Sequence, residues 1–325
     1  MSETPVSLAN HLVASGAIKD GVALLTRAAD AGDVDALMQL AVWRLAGEPV
    51  PRDVVAARAL LRRAASIGHV DAALMEVALT ANGSGGVPDW AAAQQLLRTA
   101  AIQDWVAASQ LKLLGAMEID AEGGPLALPE PEILVSGSQI MRFPRLFRPE
   151  ECAHVVNVAI DMLAPGRVVD PRTGRWIEHP IRTADEAAIG PAREDLVVQA
   201  LNKRIAAASG TDTTQGEALT VLRYRPGQQF RLHSDVLQNT RNQRIATVLV
   251  YLNDGFEGGR TTFPAYGLEI TPRQGDAVVF RNVDTKGKPD LSKRHSGEPV
   301  VRGTKWLATR WIRAHSFSHW TGPEN

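Results

Sequence analysis

Four segments between Leu219 and Trp311 determine the expected fold: LTVLRYRPGQQFRLHSD (219–235), RIATVLVYLNDGFEGGRTTFP (244–264), GLEITPRQGDAVVFRN (267–282) and RHSGEPVVRGTKWLATRW (294–311). In each of them, short apolar runs alternate with Gly, Pro and Asp turns. This pattern is typical of consecutive antiparallel strands. The sequence therefore predicts a β-rich domain in this part of the chain.

Three side chains in these segments form a candidate metal site. His233 and Asp235 are two positions apart, and alternate residues of a strand point to the same face of a sheet. His295 follows after several further strand-like runs, which is enough chain to return to the first strand. Two imidazoles and one carboxylate are the ligand set of non-haem Fe(II) oxygenases. An H-x-D pair alone is a weak signal, because a chain with eight histidines can carry one by chance.

Lys305 supplies a second, independent signal. In the run KWLATRW, strand alternation places Lys305 on the same face as Leu307, Thr309 and Trp311. A lysine that faces a barrel interior needs an anion as its partner, because an unpaired buried ammonium would be neutralised or expelled. The terminal carboxylate of a dicarboxylic co-substrate would provide that anion.

Together these motifs resemble the catalytic domain of the prolyl 4-hydroxylases, a group of 2-oxoglutarate- and Fe(II)-dependent dioxygenases. The resemblance covers about Ile133 to Ser316, and its most specific blocks are RIATVLVYLND, EGGRTTFP, the H-x-D pair and the spacing from His295 to Lys305. It implies a double-stranded β-helix (jelly-roll) domain with flanking helices. With the helical segment described below, the whole chain is expected to be an α+β multidomain protein.

The resemblance also implies roles for single residues. The two histidines and Asp235 match the iron ligands at the catalytic centre. Lys305 matches the residue that binds the distal carboxylate of 2-oxoglutarate, and Tyr224 and Thr261 match residues that line the same co-substrate pocket. Core packing is the alternative role for Tyr224 and Thr261.

Four further positions bear on the substrate. Arg244 and Trp311 match positions near the peptide substrate, with a solvated charge and core packing, respectively, as the alternatives. Two residues depart from the pattern of the relatives. Phe230 stands where many of them have tyrosine, and Arg313 stands where they often have histidine. Both departures concern the substrate and not the iron.

The implied reaction is hydroxylation of a peptidyl residue, proline at C4, in a protein or peptide partner. The implied cofactors are Fe(II), 2-oxoglutarate and O2, with ascorbate as a further one, and the co-products are succinate and CO2. Related halogenases lack the metal-binding acid, so Asp235 favours hydroxylation. The alternatives are hydroxylation of another residue or of a small molecule, and a non-catalytic scaffold in which the upstream repeats are the functional part.

The first third of the chain contains an internal repeat. The block LLTRAA (24–29) recurs as LLRRAA (60–65) and LLRTAA (96–101), which gives a period of 36 residues (24 to 60 to 96). The segment after each block is predicted to keep this register, at positions Val34, Ala36, Val70, Ala72, Val106 and Ala108.

Each repeat is predicted to be a helix pair. One helix resembles DALMQLAVWRLAG (35–47), and the other resembles PRDVVAARALLRRAASIG (51–68), which begins after a proline and ends near a glycine. These pairs resemble Sel-one-like repeats, which are related to tetratricopeptide repeats, over about residues 6–115. Stacked pairs of this kind bury a shared core and often bind a protein or peptide.

Three regions follow from these patterns. Residues 1–118 are predicted to form the helical repeat domain, residues 119–132 a linker rich in Gly and Pro, and residues 133–325 the dioxygenase domain. The helical repeats are the candidate surface for presenting a protein substrate, and the alternative is that they only cap or dimerise the catalytic domain.

Composition narrows the class of protein. The chain has 325 residues, a net charge of −1 and a pI of about 6.7, and nothing in these values marks a nucleic-acid binder. The single cysteine, Cys152, cannot form an internal disulfide, which favours a reducing compartment. With no secretory signal pattern and no long apolar run, we expect a cytoplasmic protein without a membrane partner. The sequence leaves the oligomeric state open.

Overall fold

The computed structural model describes residues 3–137, 139–169, 176–178 and 181–322. These residues form two compact units. One contains the residues up to Met117 together with Pro191–Leu196, and the other contains Glu118–Gly190 and the residues from Val197 onwards. None of the helices in the described ranges is long and apolar enough to cross a lipid bilayer.

Residues 3–117 contain seven helices. Their bounds are α1 Pro5–Ala14, α2 Ile18–Asp30, α3 Val34–Ala46, α4 Val54–Ser66, α5 Val70–Ala81, α6 Trp90–Ala100 and α7 Trp105–Ala116. The predicted helix pair is confirmed in α3 and α4. The Asp53 carboxylate caps α4 by accepting a hydrogen bond from the backbone N–H of Ala56, so α4 begins shortly after Pro51.

The 36-residue period appears in the core of the helical unit. Leu25, Leu61 and Leu97, one from each repeated block, are fully buried. Small residues recur one turn earlier in each of these helices. At Gly21 an added Cβ would lie 2.8 Å from the carbonyl oxygen of Ala9, so the close approach of α1 and α2 requires glycine there.

The register expected after the third block is wrong by one residue. The side chains that cap α3, α5 and α7 are Asp33, His69 and Asp104. Helix α7 therefore begins one residue earlier than the 36-residue period predicts. As a result Ala107, and not Ala108, is the buried counterpart of the alanines near the starts of α3 and α5. The cap decides the outcome, because the Asp104 carboxylate accepts the backbone N–H of Ala107 at 2.8 Å.

The second unit is built mainly of strands. Two helices flank them, α8 Pro149–Ala159 and α9 Leu196–Ser209. The strands are β1 Glu132–Val135, β2 Ile140–Phe143, β3 Ala164–Pro165, β4 Arg167–Val169, β5 Trp176–Glu178, β6 Asp185–Ile189, β7 Leu219–Tyr224, β8 Phe230–His233, β9 Arg244–Tyr251, β10 Glu257–Gly258, β11 Thr261–Phe263, β12 Leu268–Ile270, β13 Ala277–Arg281, β14 His295–Gly297, β15 Val300–Arg302 and β16 Lys305–Arg313.

Two antiparallel sheets carry the fold. The larger has the order β1-β2-β13-β9-β16-β7-β6-β3, and the smaller has the order β12-β11-β14-β8. Side chains from both sheets share one buried cluster, which includes Leu222 and Phe280 from the larger sheet and Phe263 and Ile270 from the smaller. This arrangement confirms the expected jelly-roll class, with the core and the functional residues between the sheets.

A buried ion pair joins α4 to α5 in the helical unit. The Arg58 guanidinium donates to the Glu76 carboxylate, with its Nη2 2.6 Å from Oε1, and their side chains are only 11% and 6% exposed. Arg58 also donates to the Thr80 hydroxyl and to the backbone carbonyl of Ser84. The buried Arg58 guanidinium therefore has hydrogen-bond acceptors around it, and the Glu76 carboxylate neutralises its charge.

We predict that Glu76→Ala lowers the opening free energy of α4 and α5 by about 3 kcal/mol, because it leaves a buried guanidinium without its counter-ion. Hydrogen exchange of peptides from these two helices, in the full chain, measures this effect. The matched control is Asp30→Ala, which removes an exposed 3.8 Å pair with Arg63 and should change the value by at most about 0.5 kcal/mol. Equal effects of the two substitutions would contradict the prediction.

Candidate metal centre and co-substrate pocket

The three predicted metal ligands meet at one point. Strand β8 ends at His233, β14 begins at His295, and these residues are partners in the antiparallel register. Asp235 follows two residues after His233, beyond the end of the strand. Its Oδ1 lies 3.4 Å from Nε2 of His233, and its Oδ2 lies 3.7 Å from Nε2 of His295. One ligand atom from each residue can lie within 4.8 Å of the other two, so a single cation can contact all three.

Backbone carbonyls orient both imidazoles. Nδ1 of His233 lies 2.8 Å from the carbonyl oxygen of Arg231, and Nδ1 of His295 lies 3.1 Å from that of Lys293. A carbonyl can only accept, so each Nδ1 carries the proton and each Nε2 presents its lone pair to the site. Nε2 of His233 is buried and has no hydrogen-bond partner among the described residues, as expected for an atom that awaits a metal.

The pKa values of His295 and Asp235 also favour metal binding. Burial, together with the neighbouring His233, lowers the pKa of His295 to about 4, so this imidazole is neutral at pH 7. Burial alone would raise the pKa of Asp235. The His295 and His233 imidazoles and the Thr247 hydroxyl outweigh burial and hold that pKa well below its usual range. Two imidazoles and a carboxylate fit Fe(II), with coordination positions left open for other molecules.

Aromatic rings enclose the histidines. Phe230 stacks on His233 with ring centroids 3.5 Å apart and an interplanar angle of 10°. Phe280 and Phe263 contact His295 at centroid distances of 4.8 and 5.4 Å. The departure at Phe230 therefore places an apolar face against a ligand. These rings restrict water around the site, which strengthens electrostatic interactions within it.

A pocket adjoins the three ligands. It is lined by Leu222, Tyr224, Phe230, His233, Asp235, Leu249, Thr261, His295, Ser296, Gly297, Lys305, Leu307, Thr309 and Trp311. Lys305 is 2% exposed, and its Nζ donates to the carbonyl oxygen of Gly259 at 2.7 Å. No carboxylate in the described ranges pairs with this ammonium. Burial lowers the pKa of Lys305 to about 7.

The other predicted co-substrate residues surround Lys305. Its cross-strand partner on β7 is Tyr224, whose ring centroid lies 5.5 Å from Nζ. Thr261 is 2% exposed and lines the same pocket. Its Oγ1 accepts a 2.8 Å hydrogen bond from the hydroxyl of Tyr251, a fully buried residue that sequence reasoning missed. The alternation of β9 would have placed Tyr251 on the inner face but gave no reason to assign it a role.

The two predicted substrate residues lie against each other. The Arg244 guanidinium is 4.1 Å from the ring centroid of Trp311, and it pairs with Glu217 through two contacts of 2.6 and 2.7 Å. Arg313 is 4% exposed and contacts the same carboxylate at 2.5 Å. The departure at Arg313 therefore belongs to a salt-bridge cluster beside the pocket, and Arg244 is not a solvated charge.

Besides Nε2 of His233, two further polar atoms of the pocket wall are unsatisfied. They are Oγ1 of Thr309 and Nε1 of Trp311, both buried and without a hydrogen-bond partner in the described part of the chain. They lie on one face of β16, two residues apart, as the alternation predicts. A ligand that fills the pocket would find a hydroxyl and an indole N–H with free hydrogen-bonding capacity.

We predict that His295→Ala weakens Mn(II) binding by more than about 100-fold, because it removes a direct ligand and not only an outer partner, whose loss costs 10–100-fold. Equilibrium dialysis of the purified protein measures the dissociation constant. His315→Ala is the matched control, since this histidine is exposed and absent from the ligand cluster. Unchanged Mn(II) affinity in His295→Ala would place the metal elsewhere.

Comparison with known proteins identifies the oxygenase region. The sequence model of the 2OG-Fe(II) oxygenase superfamily matches residues 219–313. Prolyl 4-hydroxylase 1 of Arabidopsis thaliana is 33% identical over 222 residues, which cover 62% of this chain and 78% of the relative.

Two solved structures are also similar. The viral collagen prolyl hydroxylase of Paramecium Bursaria Chlorella virus-1, in a 2OG complex, is 27% identical, with a TM-score of 0.46, and covers 55% of this chain and 98% of that one. The Sel1 repeat protein of Oxalobacter formigenes is 23% identical, with a TM-score of 0.30, and covers 33% of this chain and 85% of that one. On the sequence match and the ligand set, the chain belongs to the 2OG-Fe(II) oxygenase superfamily, as a prolyl 4-hydroxylase homologue that uses Fe(II), 2-oxoglutarate and O2.

Proposed function

We propose that this protein hydroxylates a peptidyl proline at C4 in a protein or peptide, with 2-oxoglutarate as co-substrate. The observation that carries the proposal is the buried Lys305 ammonium in the same pocket as the three metal ligands. Among the described residues this ammonium has a backbone carbonyl and two aromatic rings as neighbours but no carboxylate, so we expect its counter-ion to arrive with the ligand. The sequence similarity to prolyl 4-hydroxylases supports proline as the target.

When bound, Fe(II) would activate O2, so that one oxygen atom oxidises 2-oxoglutarate to succinate and CO2 and the other converts a C–H bond of the substrate into C–OH. The chain itself supplies geometry and electrostatics. His233, Asp235 and His295 present three ligand atoms from one side, which leaves the pocket side of the metal to the co-substrates. The enclosing phenylalanine rings keep water from that side.

Lys305 and Tyr224 determine how the co-substrate lies. The Nζ of Lys305 would pair with the distal carboxylate and so hold that end of 2-oxoglutarate in the pocket. The Tyr224 ring lies beside this Nζ, so its hydroxyl can donate to the same carboxylate. Burial raises the pKa of Tyr224, so the phenol remains a proton donor beside the anion. Thr261, oriented by Tyr251, completes this end of the pocket.

Trp311 is the residue we assign to the peptide. Its buried, unpartnered Nε1–H can donate to a backbone carbonyl of the substrate, and its ring offers an apolar surface to a proline ring. Arg244 contributes by stacking on this ring and holding the indole in place, while Glu217 fixes Arg244. Arg244 is thereby a support for Trp311, in addition to a positive charge near the bound peptide.

We also propose that the helical repeats recruit the protein that carries the target residue. Stacked helix pairs present an extended surface to which a partner can bind along several repeats. Such binding would raise the local concentration of the target residue, so affinity would come from the repeats and chemistry from the pocket. A cytoplasmic location, expected from the sequence, is consistent with this role.

We predict that 2-oxoglutarate binding weakens as the pH rises above about 7. Below that value the Lys305 ammonium of the empty pocket is already charged. Above it, binding must first take up a proton, so the dissociation constant should rise about tenfold per pH unit. Anaerobic calorimetry with Mn(II) between pH 6 and 9 measures this slope.

Lys305→Arg provides the control for this pH dependence. A guanidinium stays protonated throughout the range, so the dissociation constant of the variant should change little with pH. A wild-type dissociation constant that is flat across the same range would contradict this prediction.

We predict that the enzyme, supplied with Fe(II), 2-oxoglutarate and O2, adds one oxygen atom to proline-containing peptides. Matched peptides with alanine in place of proline should remain unmodified. Mass spectrometry locates the oxygen, and comparison with a 4-hydroxyproline standard identifies the carbon. Succinate formed without any modified proline, or oxygen found on another residue or on a small molecule, would contradict the proline assignment. Asp235→Ala controls for contaminating activity and should form no succinate.

A further inference from the structure

A chain of three buried polar side chains ends at the metal-binding carboxylate. The Thr247 hydroxyl is 2.6 Å from Oδ2 of Asp235, and Nδ2 of Asn282 is 2.9 Å from the same hydroxyl. Thr247 is 0% exposed, Asn282 is 2% exposed and Asp235 is 6% exposed. Water therefore does not compete with these hydrogen bonds.

The donors and acceptors fix the direction of this chain. The amide nitrogen of Asn282 can only donate, so the Thr247 oxygen accepts from it. The single proton of the Thr247 hydroxyl then points to Oδ2 of Asp235. Hydrogen bonds to a carboxylate are roughly twice as strong as those between neutral groups. The arrangement thus favours one rotamer of the hydroxyl and one orientation of the carboxylate.

Both outer residues are held by the sheet. Thr247 lies in the middle of β9, where its β-branched side chain has few rotamers. Asn282 follows directly after β13, the neighbour of β9, and its backbone N–H donates to the carbonyl oxygen of Ile245 at 2.9 Å. Asp235, by contrast, lies outside any strand. Its orientation therefore has to come from side-chain contacts.

We propose that Thr247 and Asn282 are positioning residues for the metal centre, which hold Asp235 so that Oδ1 faces the metal while Oδ2 stays bound to the hydroxyl. A carboxylate held in this way binds with one oxygen, and the position that its second oxygen would take remains open for the co-substrates. Loss of the hydroxyl would free Asp235 to rotate or to bind through both oxygens. The proposal concerns the metal alone and holds whether or not proline is the substrate.

The test compares variants by the dissociation constant of Mn(II), measured by equilibrium dialysis without 2-oxoglutarate or peptide. Thr247→Val keeps the shape of the side chain and removes the hydroxyl, and we expect binding to weaken about 10- to 100-fold. Thr247→Ser keeps the hydroxyl and should stay within about threefold of wild type. Thr220→Val is the matched control, because Thr220 is also buried in the large sheet but donates only to the carbonyl of Ala218. It should bind Mn(II) as wild type does.

A second variant keeps the proposal falsifiable if Thr247→Val does not fold. Asn282→Ala removes the donor that sets the direction of the Thr247 hydroxyl, and we expect Mn(II) binding to weaken about three- to tenfold. Circular dichroism establishes which variants fold. Wild-type Mn(II) affinity in either folded variant would overturn the proposal, as would equal weakening in Thr247→Val and Thr247→Ser. Since no turnover is measured, failure of the proline assignment would leave this outcome unaffected.

Discussion

The pairing of β8 with β14 is the constraint on which the metal centre depends. It makes His233 and His295 direct neighbours across an antiparallel ladder. A slip of one residue would turn one imidazole to the opposite face and separate the two ligands. The stacked Phe230 and the aromatic residues around His295 favour the observed register. The packing that sets the register of the smaller sheet therefore also sets the positions of both histidine ligands.

A consequence of this packing is a cavity with unsatisfied polar groups. Nε2 of His233, the hydroxyl of Thr309 and the indole N–H of Trp311 are buried without partners in the described ranges. Such atoms lower the stability of the empty protein, and ligands that satisfy them recover it. Lys305 is a further example, because burial disfavours its charged form until an anion binds. The parts of the fold that are least favourable without ligands are the parts that recognise them.

The sequence was sufficient where local periodicity determines the result. Strand alternation correctly placed Lys305 and Trp311 in the wall of one pocket, and the H-x-D pair with His295 indicated three side chains that the fold does bring together. It was insufficient where distant segments meet. Nothing near Thr247 indicates its contact with Asp235, because that bond depends on how a loop after β8 folds over β9. The predicted register after the third repeated block was wrong for the opposite reason. A local feature, the Asp104 cap, starts α7 one residue earlier than the 36-residue period predicts.

The most direct test of the account is a crystal structure of the protein with Mn(II) and 2-oxoglutarate, grown without oxygen. We expect a metal bound to Nε2 of both His233 and His295 and to one oxygen of Asp235. We also expect the distal carboxylate of 2-oxoglutarate to lie within hydrogen-bond distance of Nζ of Lys305. A metal bound away from these three residues, or a co-substrate carboxylate that avoids Lys305, would contradict the account.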